Sequence, residues 1–193
     1  MLMTNHRCRF LGLLLVCALG SSLQASDFDP GAPIQHTPYD AYLDPVYKVF
    51  HDLGTVEPDE ATVEKLVREG RAFRYFFNKD QPYVPQTPEV TEATKTGDCK
   101  AKSLWLASKM NSHSIRFVIG KLSIGSPKSH AWLVWQSPQG WLILDATNYS
   151  KPLVPERVSP TELVPTYSYA PSGVKYSHAN AAPAKGAKYG DHM

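Results

Sequence analysis

The sequence predicts an α+β fold in which N-terminal helices, one of them carrying a nucleophile, pack on a small antiparallel sheet. Two observations carry this reading. Apolar residues recur at helical spacing in stretches between Asp40 and Met110, and three short runs rich in branched and aromatic residues follow between Ile115 and Ala146. Helices grouped ahead of a strand meander are the pattern of such a fold.

The first segment, Met1 to Ala25, reads as an export signal rather than a structural element. Arg7 and Arg9 precede the apolar run Phe10 to Gly20, and Leu23-Gln24-Ala25 offers a cleavage site. The run is too short to span a bilayer, so no stable membrane span is expected and the mature chain should be periplasmic or secreted. Cys17 raises the possibility of lipidation, but Leu14-Leu15-Val16 lacks the small residue expected before a lipidated cysteine. Removing the segment takes Cys8 and Cys17 and leaves Cys99 alone of the three cysteines. A solitary thiol in an oxidising compartment is either reactive or buried. Removing Arg7 and Arg9 also leaves 18 basic residues of 20, against 18 acidic ones. That balance gives no sign of a nucleic-acid partner and leaves a protein or peptide as the expected one.

Residues 26–40 carry four prolines and glycines before Tyr39 and should form an irregular arm. Asp40 to Leu53 then places Tyr42, Val46, Val49, Phe50 and Leu53 at helical spacing, with Pro45 in the first turn and Gly54 as the stop. Glu57-Pro58-Asp59-Glu60 opens a second helix whose apolar face includes Val63, Leu66 and Val67, running on toward Phe73, Tyr75, Phe76 and Phe77. Asn78 to Pro88 holds Pro82, Pro85 and Pro88 without a period, which predicts a cleft-lining loop.

Asp98 is a suitable N-cap for a third helix, since its carboxylate can accept from the backbone N–H of Lys100 or Ala101. Cys99 then falls in the first turn, where the helix dipole favours a thiolate. Apolar residues are spread around this helix, with Ala101, Leu104 and Trp105 on one stripe and Leu106 and Met110 off it, which implies burial on most sides. The charged residues Lys95, Lys100, Lys102 and Lys109 are expected on a solvated face.

Ile115–Ile119, His130–Gln136 and Trp141–Ala146 read as adjacent antiparallel strands, the last two joined by the turn Ser137-Pro138-Gln139-Gly140. Pairing Gln136 with Trp141 sets Asp145 opposite Trp132, and His130 and Asp145 become diagonal neighbours on one face. The carboxylate can then orient the imidazole, and the helix must pack its first turn against that face for Cys99 to reach it. The candidate catalytic set is Cys99, His130 and Asp145. Trp132 on that face, with Tyr83 and Gln86 in the preceding loop, are the candidate substrate-binding residues. The Cys99 backbone N–H is a candidate oxyanion donor.

Other constellations carry less. His113 lies just beyond the far end of the cysteine helix, and His36, His51 and His178 have no partner at zinc-ligand spacing. Gly120-Lys121-Leu122-Ser123 has the wrong glycine spacing for a phosphate loop. Residues 166–193 should form a flexible tail rich in Tyr, Ala, Gly and Lys, so the expected catalytic domain is 41–165.

Between Ala61 and Tyr149 the chain resembles the transglutaminase-like superfamily, and more narrowly the bacterial transglutaminase-like cysteine peptidases. The likeness rests on Thr87-Pro88-Glu89, Gly97-Asp98-Cys99, His130-Ala131-Trp132 and Leu144-Asp145-Ala146-Thr147 in this order. The resemblance implies a papain-like α+β core with Cys99, His130 and Asp145 as its catalytic residues. Peptidases of this type often continue the cysteine motif with acidic residues, which in some members help to bind calcium. Here Lys100, Ala101 and Lys102 follow, only Asp98 remains of such a site, and no cofactor is expected. The expected activity is a thiol peptidase or amidase; a protein-crosslinking transglutaminase with the same triad and an inactive peptide-binding module remain alternatives.

Overall fold

The structure is a computed structural model that describes residues 29–179 of the 193-residue chain. The expected export segment, residues 1–25, and the last part of the expected tail, residues 180–193, lie outside the described residues. No helix among the described residues is long and apolar enough to cross a membrane.

The described residues open with strand β1 (Ala32–Ile34), a 3-10 turn at Asp40–Tyr42, and helices α1 (Asp44–His51) and α2 (Glu60–Ala72). Pro45 sits in the first turn of α1, and the Asp59 carboxylate caps α2 by accepting from Thr62 N at 2.6 Å. The aromatic run after α2 leaves the helix at Phe73 and enters the short strand β2 (Arg74–Tyr75), which pairs in parallel with β3 (Thr96–Gly97). Between them the expected loop, residues 78–88, runs without helix or strand up to Thr87, the cap of a helix that follows it, α3 (Pro88–Thr94). Pro88 thus marks a helix start, where its missing N–H costs nothing.

Helix α4 (Cys99–Met110) is the centre of the molecule. Ten of its 12 residues are buried, the exceptions being Ser108 and Lys109. Helices α1, α2 and α3 and strand β5 all pack on it. The expectation of a solvated lysine face is corrected in part: Lys95 and Lys109 are exposed, whereas Lys100 and Lys102 are buried. The Lys102 ammonium donates to Phe73 O at 2.6 Å, satisfying a carbonyl that the end of α2 leaves open. Burial pushes the Lys102 ammonium down to about 8, with Arg71 adding to the effect.

Strands β4 (Ile115–Ser123), β5 (His130–Ser137) and β6 (Gly140–Leu144) form the expected meander, with Gln136 opposite Trp141 and Leu133 opposite Leu144. The sheet is larger than expected, since β7 (Glu162–Tyr169) and β8 (Lys175–Ser177) join it in the order β1-β8-β7-β4-β5-β6. Within the expected tail, residues 166–169 and 175–177 are strand, and the arm contributes an edge strand through the pairs Ala32 with Ser177 and Ile34 with Lys175. Tyr167 and Tyr169 are buried, and Tyr169 Oη lies 3.0 Å from Thr37 Oγ1. A bulge between Ile119 and Gly120 accommodates Pro165 in β7.

Two apolar layers flank the sheet. The larger one joins the helices to Phe117, Ile119, Ala131, Leu133, Trp135 and Leu144. The smaller one packs Val118, Trp132, Val134, Ile143 and Leu163 on the other face, with Leu153 and Val158 from the following segment against it.

Candidate active site

Asp98 starts α4 as expected, its Oδ1 accepting from Ala101 N at 2.9 Å, and this fixes Cys99 as the first helical residue. The helix is held to the sheet beside the thiol by Ser103 Oγ, which donates to Ala131 O at 3.3 Å. α4 packs on the face of β5 that carries Ala131, Leu133 and Trp135, whereas His130 and Trp132 have the opposite parity. The expectation that the helix covers the histidine's own face is thus corrected. His130 is within reach because it is the first residue of β5, where the sheet ends and its side chain lines a small cavity together with Cys99 and Ala131.

Asp145 lies one step beyond the last β5–β6 pair, in the register that sets it diagonal to His130. His130 Nε2 donates to Asp145 Oδ2 at 2.9 Å, and both side chains are buried. The imidazole also makes a side-chain hydrogen bond with Cys99. With Nε2 given to Asp145, Nδ1 is the nitrogen left for the sulfur.

The carboxylate has further donors that the sequence reading missed. Thr147 N and Asn148 N donate to Oδ1 at 2.9 and 3.3 Å, and Asn148 Nδ2 donates to Oδ2 at 2.8 Å. The signal was a turn-forming Asp-Ala-Thr-Asn just past a strand, in which an Asp side chain bonds the backbone two residues on.

Burial by itself would lower the His130 pKa, but its bonds to Asp145 and Cys99 push it up to about 10. Burial by itself would raise Asp145, and the neighbouring imidazole with the Asn148 and Thr147 donors holds it below the usual carboxylate range. The signs follow by linkage. The raised histidine contributes stability that is complete below its unfolded value of ~6.5 and is lost as pH climbs toward about 10. The lowered aspartate contributes stability that is present above ~3.9 and is lost in more acidic solution. Thermal midpoints should therefore fall at both extremes, and His130→Ala should flatten the alkaline limb. An alkaline limb of the same slope in the variant would refute that assignment.

The three candidate substrate-binding residues are placed differently. Trp132 is 1% exposed and stacks on His130 with ring centroids 5.7 Å apart, so it supports the imidazole from beneath. Tyr83 is buried, stacks on Phe77 and donates its hydroxyl to Asp98 Oδ2. Gln86 lies against Gly97, close to the nucleophile's turn, and its buried Oε1 has no hydrogen-bond partner. It also lines a larger cavity of about 330 Å³ between α1, residues 84–89 and α4, which does not include Cys99.

Cys99 itself is 1% exposed. The cavity beside it, bounded by Tyr39, Ser129, Ile119 and His130, measures about 10 Å³, room for roughly one water. Tyr39 packs edge-on against Tyr167 and hydrogen-bonds Ser129, closing this space from the arm. Tyr39→Ala is expected to speed iodoacetamide alkylation of Cys99 while costing roughly 3 kcal/mol of stability. An unchanged alkylation rate would show that Tyr39 does not control access.

A buried helix with a thiol at its N-terminus, packed on an antiparallel sheet, makes this an α+β fold. Comparison with solved structures finds the same fold elsewhere. LapG from Legionella pneumophila superposes with a TM-score of 0.50 at 19% identity, covering 68% of this chain and 76% of its own. Its EGTA-treated form gives 0.51 at 18% identity, covering 74% and 76%, and its calcium-bound form gives 0.50 at 18%, covering 72% and 80%. These likenesses establish the shared fold. No family model and no curated protein matches the sequence.

Proposed function

We propose that this chain is an exported thiol peptidase or amidase in which Cys99 is the nucleophile, His130 the general base and acid, and Asp145 the residue that orients the imidazole. The observation that carries the reading is the position of His130, bonded on one nitrogen to the Asp145 carboxylate and on the ring's other side to the Cys99 thiol. His130 takes the thiol proton, and the sulfur attacks an amide carbonyl carbon to form a C–S bond. The tetrahedral oxyanion is met by the Cys99 backbone N–H at the start of α4. Collapse breaks the C–N bond as the imidazolium protonates the departing amine, leaving a thioester. The neutral imidazole then draws a proton from water, which attacks the thioester and releases the acid and the thiol.

Amide-directed chemistry by a Cys-His-Asp set makes a protein or peptide the proposed substrate class, and the segment Met1 to Ala25 supports a periplasmic or secreted location. The test is to incubate the processed protein with a peptide mixture and search by mass spectrometry for an acyl group on Cys99. Trapped thioester and new carboxyl termini, both lost in Cys99→Ala, are expected. Added primary amine separates hydrolysis from transfer, since a transferase incorporates it in place of water. Cleavage that survives in Cys99→Ala would sink the reading.

One observation favours a second reading, a peptide-binding module without catalysis: the thiol is closed off from solvent. It predicts sluggish alkylation that neither Tyr39→Ala nor His130→Ala alters, together with peptide binding retained in Cys99→Ser.

A further inference from the structure

Beside the nucleophile the protein holds a positive charge of its own. The Lys100 ammonium is buried 3.6 Å from Asp98 Oδ2. It stands 4.6 Å over the ring of Tyr83 and 5.8 Å from that of Phe77, and these two rings are stacked at 5.3 Å. The hydroxyl of Tyr83 donates to the same Asp98 oxygen. One carboxylate oxygen and two aromatic faces thus surround one cation, which is a complete recognition site for an ammonium.

LapG is known in a calcium-bound and an EGTA-treated form. Calcium requires six to eight oxygen ligands, several of them anionic. The residues here do not fit it. Asp98 Oδ1 is taken by the helix cap and Oδ2 by Tyr83 and Lys100, and no group of three His, Cys, Asp or Glu converges to hold a metal among the described residues. A divalent ion at Asp98 would also face the buried ammonium at close range, where like charges repel strongly.

We propose that Lys100 is the resident cation of this site, fastening the aromatic segment around Phe77 and Tyr83 to the first turn of α4, and that the protein works without calcium. The ammonium acts through Asp98 on the turn that carries Cys99, so Lys100 is a positioning residue. The part of the inference that concerns reactivity rests on Cys99 being the nucleophile; the part that concerns stability does not.

The experiment compares thermal midpoints and iodoacetamide alkylation rates of Cys99 in millimolar calcium and in EGTA, for the wild type, Lys100→Met, Lys100→Arg and His130→Ala. The wild type should give the same midpoint and rate in both buffers. Lys100→Met should alkylate roughly tenfold more slowly in both, the worth of one charge-assisted contact, and Lys100→Arg should recover much of the loss. Recovery by a second cation distinguishes charge from mere packing. A wild type that calcium stabilises or accelerates overturns the proposal, and so does a Lys100→Met variant that matches the wild type in both measurements. Should Lys100→Met not fold, the wild-type comparison alone decides. His130→Ala keeps the two readings apart: its alkylation rate tests the catalytic pair, whereas the calcium comparison of midpoints stands whatever that rate is.

Discussion

His130→Ala is expected to slow the alkylation of Cys99 and to cut any peptidase activity by about six orders of magnitude. Bonds to Asp145 and Cys99 raise His130 to about 10, so the imidazolium persists through neutral pH and stands against the sulfur. Iodoacetamide reacts with the thiolate, and His130 is the group beside Cys99 that takes its proton, so at neutral pH wild-type Cys99 should alkylate roughly tenfold faster than in the variant. Asp145→Asn should produce an intermediate phenotype, because the amide can still hold the ring yet no longer balances its charge. A His130→Ala rate that matches the wild type would remove the pair from the mechanism.

The second large effect lies away from the chemistry. Gly120 faces His130 across β4 and β5 and Pro165 across β4 and β7, at the bulge. A Cβ there would sit 2.2 Å from Val164 O, 2.7 Å from Trp132 Cη2 and 2.9 Å from Pro165 Cα. Two of these are backbone atoms, which cannot move without opening the strand pair. Gly120→Ala should cost roughly 3 kcal/mol or more. For a domain of this size that is a fall in thermal midpoint of about 10 °C. The displaced ring is the one stacked beneath His130, so alkylation should slow as well. A midpoint within about two degrees of wild type would show that the sheet absorbs a methyl group at this position.

What the sequence disclosed was local. The Asp98 cap, the turn after Ser137 and the β5–β6 register each depend on residues a few positions apart, and the register carries His130 and Asp145 to within one hydrogen bond. Pairings between distant segments were hidden. β7 pairs with β4 and β1 with β8, and nothing in Glu162 to Tyr169 announces a partner more than forty residues upstream. Pro165 lies inside β7, where the bulge opposite Ile119 and Gly120 makes room for it. The lysines of α4 misled for another reason. Charge at helical spacing signals a wet face only when a helix has one, and the first two turns of α4 are packed on every side, so Lys100 and Lys102 bury their stems and give their ammonium groups to partners inside. Asn148 went unnoticed because its role is to complete the shell of a residue already identified.

The strand order has a consequence in time. β7 and β8 both lie inside the sheet, yet they follow every other described element in the sequence, and β8 pairs with β1. During synthesis the helices and the β4–β6 meander can form while one edge of β4 still waits, with open N–H and C=O groups, for a partner not yet made. Closing such long-range pairs is slow relative to forming helices and hairpins. The native sheet is thus completed from its last-made strands, and until they arrive the bare edge of β4 is the place where another chain could take their position.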